Sequence, residues 1–252
     1  VLEIGPGKGA ITSALAEKCG ELVLVEKDDR LAADLREKYS GRENVTVITG
    51  DFLKIQIPPN PPFSKGGAPE ATFPAKFPPL SAKGRISPSA EKRGGRGDLK
   101  AVGNLPYKVA SQIFIRLIEN RTHFSDLFLM FQKEMALRFT AKPSTKDYGL
   151  LTLWGTIYSD AQILFHLPPS SFSPAPKVES SFVHFKIKDK PLLLDKEAPD
   201  FFKLMRRLFQ QRRKTIQSVV KELRGKIPPT ARAEAMTVEQ LINLYKTFSS
   251  CS

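Results

Sequence analysis

The opening stretch constrains the fold more than any other. An apolar strand, Val1-Leu2-Glu3-Ile4, runs into Gly5-Pro6-Gly7-Lys8-Gly9, and a helical pattern follows over residues 10–18. A strand that turns through glycines into a helix is the first unit of a parallel α/β sheet, because a parallel neighbour is reached only by a crossover. Glycines in such a turn admit positive φ and let a ligand approach the backbone. The helix N-terminus behind them favours electron-rich groups, so a nucleotide-like cofactor is expected above the turn. The same residues through Ala10 also satisfy the Gly-x-Gly-x-x-Gly/Ala dinucleotide fingerprint, which leaves an NAD enzyme open. The second apolar run, Leu22-Val23-Leu24-Val25, delivers Glu26, placed for ribose hydroxyls in either case.

The remaining pattern extends this beginning. Strands are expected near residues 1–4, 22–26, 45–48, 99–103, 126–131, 160–167 and 180–187, alternating with helical stretches until the last pair. That order predicts an α/β, Rossmann-like, mostly parallel sheet covered on both faces. Beyond Lys186 the pattern becomes helical. Residues 201–223 read as one amphipathic helix with Phe201, Leu204, Met205, Leu208, Phe209, Ile216, Val219 and Val220 on its apolar side. Arg206, Gln210, Arg213, Gln217 and Lys221 share another face. A second helix is expected over 237–248, with Pro228-Pro229 as the break. The chain of 252 residues, 41% hydrophobic, thus divides into a large domain over 1–188 and a small C-terminal helical domain over 189–252.

Two later strand ends carry chemistry. The third strand ends in Gly50-Asp51-Phe52, an acceptor for an adenine amine beside an apolar wall. The plainer reading of Asp51 is a turn or helix cap. The fourth ends in Asn104-Leu105-Pro106-Tyr107, which reads as a clamp for a planar amine. An Asn side-chain oxygen and the Leu105 carbonyl, held open by Pro106, can both accept hydrogen bonds from an exocyclic amino group. Tyr107 offers a stacking face. An amine prepared this way needs only an electrophile in line, so the chemistry depends on positioning. A strand-ending turn is the bland alternative, since Asn and Pro are common turn residues.

Taken together, Glu3-Ile4-Gly5-Pro6-Gly7, Glu26, Gly50-Asp51 and Asn104-Leu105-Pro106-Tyr107 resemble the S-adenosylmethionine-dependent ribosomal RNA adenine dimethyltransferases, in their small-subunit branch. The likeness continues through Phe131-Gln132-Lys133-Glu134, Tyr148-Gly149-Leu150-Leu151, the run from Pro168 to Ser180, and Arg212-Arg213-Lys214-Thr215. It implies a class I methyltransferase sheet using S-adenosyl-L-methionine. Gly5 and Gly7 would line the methionine part, Glu26 the ribose, Asp51 and Phe52 the adenine, and Asn104 both cofactor and target amine. Phe172 would join Tyr107 as a second face for the base. The implied reaction is stepwise methylation of two adjacent adenosines near the 3′ end of small-subunit (16S) rRNA, in the immature 30S particle. The target base must then be presented unstacked. A large-subunit methylase of the macrolide-resistance type and a non-catalytic assembly factor remain as alternatives.

Charge points the same way. Thirty-nine Lys and Arg against twenty-six Asp and Glu give +13, a field that steers polyanions. Arg206, Arg212, Arg213 and Lys214 are the expected RNA-binding residues. His123, His166 and His184 lack metal-ligand spacing, so no metal is expected. Phe124, Phe128, Phe131, Phe139 and Trp154 read as core. Two cysteines, Cys19 and Cys251, indicate no disulfide framework and fit a reducing, cytoplasmic compartment. No stretch reaches the ~20 apolar residues of a membrane helix. A monomer is the default.

Two departures from the resemblance stand out. The stretch from about 58 to 97 holds nine of the twenty prolines and seven Lys/Arg against two Glu, a composition expected to stay disordered as a tolerated insertion. The chain also begins with Val1 inside the first strand. The resemblance implies an upstream segment with a Gln-Asn-Phe-Leu stretch closing over the methionine end, so a fragment with weakened donor affinity is expected.

Overall fold

A computed structural model describes residues 1–55 and 98–250, which pack as two units, 1–131 and 132–252. The proline-rich insertion and Cys251 lie outside the described residues.

The first unit is built on five parallel strands: β1 (Leu2–Ile4), β2 (Leu22–Glu26), β3 (Val45–Thr49), β4 (Leu99–Asn104) and β5 (Phe124–Gln132). Their lateral order is β3-β2-β1-β4-β5. Helices α1 (Thr12–Lys18), α2 (Asp29–Lys38) and α3 (Ala110–Glu119) separate consecutive strands. β1 is buried along its whole length, as a central strand covered on both faces must be. Edge strand β3 is only half-buried. α1 starts two residues later than its pattern suggests, because the glycine turn continues through Ile11.

Side chains explain the covering helices. Asp28 caps α2 by accepting from the backbone N–H groups of Arg30 (2.9 Å) and Leu31 (3.1 Å), satisfying donors the helix leaves open. Leu35 of α2 then packs with Ala16, Leu22, Leu24 and Tyr39 in one buried cluster. α3 turns Ile113, Phe114, Leu117 and Ile118 inward, and Phe114 meets Phe131 edge-to-face with centroids 6.5 Å apart. Phe124 and Phe131 are core, as expected, whereas Phe128 is half-buried.

The order of strands decides where a ligand can sit. The chain moves from β1 outward to β2 and β3, then returns to place β4 on the other flank of β1. Loops leaving β1 and β4 therefore diverge, opening a crevice at the carboxyl ends of these strands.

The second unit contains α4 (Lys133–Phe139), α5 (Leu150–Tyr158), the antiparallel pair β6 (Ser159–Leu167) and β7 (Ser180–Ile187), then α6 (Ala198–Phe209), α7 (Ile216–Val219) and α8 (Val238–Ser249). The 188/189 boundary drawn from sequence falls inside this unit. Its core includes Phe139, Leu153, Ile157, Phe185, Phe201, Met205, Leu241 and Tyr245. Trp154 is half-buried and stacks on Phe202 at 4.0 Å.

One expectation is corrected here. Residues 201–223 are not a single helix: α6 ends at Phe209, the chain turns through 210–214, and Thr215 is extended before the short α7. Arg212 lies four residues after Leu208 and seven after Met205, so an unbroken helix would lay its charge on the buried apolar stripe. The break spares it that position. Ile216, Val219, Val220 and Leu223 are nevertheless buried, so the apolar pattern is obeyed by two pieces. Arg206, Gln210, Arg213, Gln217 and Lys221 consequently do not share one helical face.

Candidate active site

Three strand ends of the first unit converge through backbone hydrogen bonds. Gly5 N–H donates to the Val25 carbonyl (2.9 Å), and Gly50 N–H donates to the Glu26 carbonyl (2.7 Å). Gly5 and Gly7 stand at φ +65° and +58°, a region that L side chains rarely occupy, so the turn depends on them. A Cβ on Gly5 would lie 3.9 Å from the Asn104 carbonyl oxygen and near no other heavy atom, which leaves an open cradle between the first turn and the end of β4.

Glu26 closes this turn. Its carboxylate accepts from Gly7 N–H (2.9 Å) and from Asp28 N–H (3.0 Å), fastening the glycine loop to the start of α2. Each carboxylate oxygen has a second acceptor position, so these bonds do not exhaust it.

Asp51 takes up both sequence readings. One oxygen accepts from Leu53 N–H (3.0 Å), the turn-capping role, and the other pairs with the exposed Lys27 ammonium at 3.0 Å. The Lys27 hydrogen bond holds the Asp51 carboxyl below its ordinary range, so it is an anionic acceptor at neutral pH. Phe52 is 4% exposed and packs into the core.

The Asn-Leu-Pro-Tyr segment is held by its alternating burial. Asn104 is exposed, Leu105 is buried, Pro106 is exposed and Tyr107 is half-buried. Leu105 anchors the segment, and Val109 N–H closes the turn onto the Pro106 carbonyl at 3.0 Å, leading into α3. Asn104 is thus presented at the strand end beside the glycine turn. Phe172 belongs to the second unit, half-buried after a 3-10 turn over Pro169–Ser171.

Two residues were not singled out from sequence. Glu3, in the middle of β1, is 1% exposed, and neither carboxylate oxygen has a hydrogen-bond partner. Its one sequence signal is an acid within an apolar strand. Gly103 is the other: a Cβ there would come within 2.8 Å of Leu105 Cδ2 and 3.0 Å of the Ile4 carbonyl, so β4 approaches β1 too closely for a side chain. Among the expected RNA-binding residues, Arg206, Arg213 and Lys214 are exposed, whereas the Arg212 guanidinium is taken up by neighbouring carbonyls and a carboxylate. Among the described residues no cluster of His, Cys, Asp or Glu could hold a metal, and no helix is long and apolar enough to cross a membrane.

A glycine turn after β1, acids at the ends of β2 and β3, and the Asn-Leu-Pro-Tyr segment at the end of β4, on an α/β sheet of this strand order, define a Rossmann-like class I methyltransferase. More narrowly, the chain belongs to the ribosomal RNA adenine dimethylase family, whose model matches residues 1–249. The ribosomal RNA small subunit methyltransferase A of Koribacter versatilis (strain Ellin345) is 34% identical over 257 residues, spanning 97% of this chain and 83% of that protein. A dimethyladenosine transferase from Plasmodium falciparum has a TM-score of 0.74 at 21% identity, covering 99% of this chain and 90% of that one. The 23S rRNA methyltransferase ErmE follows with 0.63 at 22%, over 98% and 90%. These two structures share the fold. Family membership removes the NAD-enzyme reading of the glycine turn.

Proposed function

We propose that this chain methylates the exocyclic amines of two adjacent adenosines near the 3′ end of small-subunit (16S) rRNA, in support of small-subunit biogenesis. The observation that carries the reading is the placement of Asn104 beside the Gly5 turn, where a Cβ on Gly5 would stand 3.9 Å from the Asn104 carbonyl oxygen. Small-subunit substrate choice is supported by the naming of relatives at 34% identity, such as those of Koribacter versatilis and Chlorobaculum parvum (strain DSM 263 / NCIMB 8327).

The open cradle at Gly5 and the hydrogen-bond acceptors Glu26 and Asp51 fit S-adenosyl-L-methionine. Gly5 and Gly7 would hold its methionine part, Glu26 its ribose hydroxyls, and Asp51 its adenine, whereas Phe52, buried in the core, supports Asp51 from below rather than facing the ring. When bound, it supplies an electrophilic methyl group on sulfonium. The protein's part is positioning. The Asn104 side-chain oxygen and the Leu105 carbonyl accept the N–H groups of the target amine, leaving the nitrogen lone pair directed outward. Pro106 fixes the backbone that presents that carbonyl, and the face of Tyr107 holds the unstacked base. No covalent adduct is required, and attack depends on positioning more than on a general base, because the cationic nitrogen formed is acidic and gives its proton to water.

The helical region 189–252 is the RNA-binding part of this reading, with Arg206, Arg213 and Lys214 against phosphates. In this reading the protein works on ribosomal precursors in the cytoplasm, with a monomer as the default. Asn104→Ala tests the assignment. It should abolish methyl transfer to small-subunit rRNA while leaving RNA affinity within about twofold; unchanged turnover would sink the reading.

A further inference from the structure

The Arg212-Arg213-Lys214 run is expected from sequence to act as one basic group, but the structure divides it. Arg212 commits all three guanidinium nitrogens to internal acceptors. Nε donates to Glu234 Oε2 (3.2 Å), Nη1 to the Lys146 carbonyl (2.7 Å) and Nη2 to the Thr145 carbonyl (3.0 Å). Arg213 and Lys214 beside it are exposed.

The acceptors belong to two further basic segments. The loop that carries Lys142 and Lys146 is stitched to the 3-10 turn Ala233–Ala235 and its flank: Ser144 N–H donates to the Glu234 carbonyl (2.7 Å), and the Tyr148 hydroxyl donates to the Met236 carbonyl (2.8 Å). Ser144 holds φ +66°, a conformation that persists only where surroundings enforce it. Arg232, half-exposed, approaches the other Glu234 oxygen at 3.9 Å.

Three segments therefore meet around one guanidinium. Their exposed cations are Lys142, Lys146, Arg213, Lys214 and Arg232. The carboxylates on these segments are Glu234, already engaged by Arg212, and the half-buried Asp147, and the Glu239 carboxylate of α8 acts on the nearby Tyr148 hydroxyl. Among the described residues, Lys142, Lys146, Arg213 and Lys214 pair with no carboxylate. Like charges fixed together without counter-charge are self-repelling unless a polyanion relieves them.

We propose that Arg212 is a positioning residue: with Glu234 it ties the 142–146 loop, the 210–214 turn and Arg232 into one surface, and that surface binds the phosphate backbone of RNA. The proposal rests on the RNA reading above. It moves Arg212 from the phosphate ligands to the frame that holds them, and adds Lys142, Lys146 and Arg232 as ligands. Lysine at 212 keeps the charge but has one nitrogen where three are used, so it cannot span the three acceptors.

Glu234→Ala separates this from a simple electrostatic account by sign. Removing a carboxylate beside a basic patch, and freeing Arg212, should tighten RNA binding if Arg212 is itself a phosphate ligand. If Arg212 is the clamp, binding weakens. Each phosphate contact is worth about four- to fivefold in affinity at about 0.15 M salt, from a salt slope of about 0.7 to 0.9 per contact. Losing the register of both Lys142 and Lys146 should then cost roughly fifteen- to twenty-fivefold.

The experiment measures binding of the full chain to an rRNA fragment carrying the small-subunit 3′ end, as a function of salt, for wild type, Arg212→Lys, Glu234→Ala and Arg213→Ala. Hydrogen exchange across residues 142–148 is followed on the same samples. The expected result is weakened binding with faster exchange in Arg212→Lys and Glu234→Ala, and a salt slope lowered by about one with unchanged exchange in Arg213→Ala. Tighter binding by Glu234→Ala, or unchanged exchange in both clamp variants, overturns the proposal. Wild type failing to bind RNA would remove the RNA reading and the surface assigned here, while the exchange data would still decide whether Arg212 holds the loop.

Discussion

Replacing Glu3 by Gln should make this protein's stability less dependent on pH, by an amount set by the burial of one carboxylate. Glu3 is 1% exposed in β1 beneath the glycine turn, without a hydrogen-bond partner for either oxygen. Burial pushes its pKa from the ordinary 4.5 to about 7; the Thr12 hydroxyl moderates the shift without reaching hydrogen-bond geometry, and the nearby Glu26 charge adds to it. The folded state thus holds this proton more tightly than the unfolded chain does. Its stabilising contribution is full below pH 4.5, falls as pH rises towards about 7, and is flat above. The whole shift corresponds to about 3 kcal/mol, of which about 2.5 kcal/mol falls between about pH 5 and 8. Gln matches the shape of Glu but cannot ionise, and the desolvation cost of its amide does not vary with pH. Urea unfolding followed by far-UV circular dichroism across that range should show the variant gaining about 2.5 kcal/mol on wild type as pH rises. Other titrating groups cancel in the difference. A difference constant to within about 0.5 kcal/mol would refute the argument, because it would mean that the Glu3 carboxylate is hydrated or paired when charged.

Gly103→Ala should cost about 1–3 kcal/mol, since its Cβ would press on Leu105 and the Ile4 carbonyl, and should weaken S-adenosylmethionine binding by moving Asn104; an unchanged melting temperature would contradict the close approach of β4 to β1. Asp28→Ala removes the α2 cap and should cost about 1 kcal/mol in urea titration, against no change if water replaces the carboxylate equally well. Tyr148→Phe should cost about 1 kcal/mol through the unpaired Met236 carbonyl. Burial, with the Glu239 charge behind it, pushes the Tyr148 hydroxyl up to about 12, so the variant should lose a tyrosine signal that titrates above the ordinary range. Loss of an early signal instead would show that the hydroxyl is solvated.

Much of the site was legible because its signals are local. Gly5 and Gly7 adopt positive φ for reasons contained in the turn itself. Glu26 stands at the end of its strand because four apolar residues precede it, and Asn104 closes the mainly apolar run over residues 99–103. Apolar periodicity likewise placed the strands and α8, whose Thr237 cap and Gln240 form a reciprocal pair. Tertiary structure decided what depends on partners distant in sequence. Asp51 pairs with Lys27, and its capping bond alone would not have revealed that. The apolar stripe over 201–220 fits one helix as well as two, and the choice follows from Arg212 finding Thr145, Lys146 and Glu234 across the fold. Glu3 looked like part of a strand, and only the layers closing over both faces of β1 turned it into a buried acid. Sequence by itself determined conformational preference and the periodicity of burial, which act over a few neighbouring residues. The packed fold decided which charges are paired, which stay exposed and which lose their water, because those energies depend on distance and dielectric set by segments far apart in the chain.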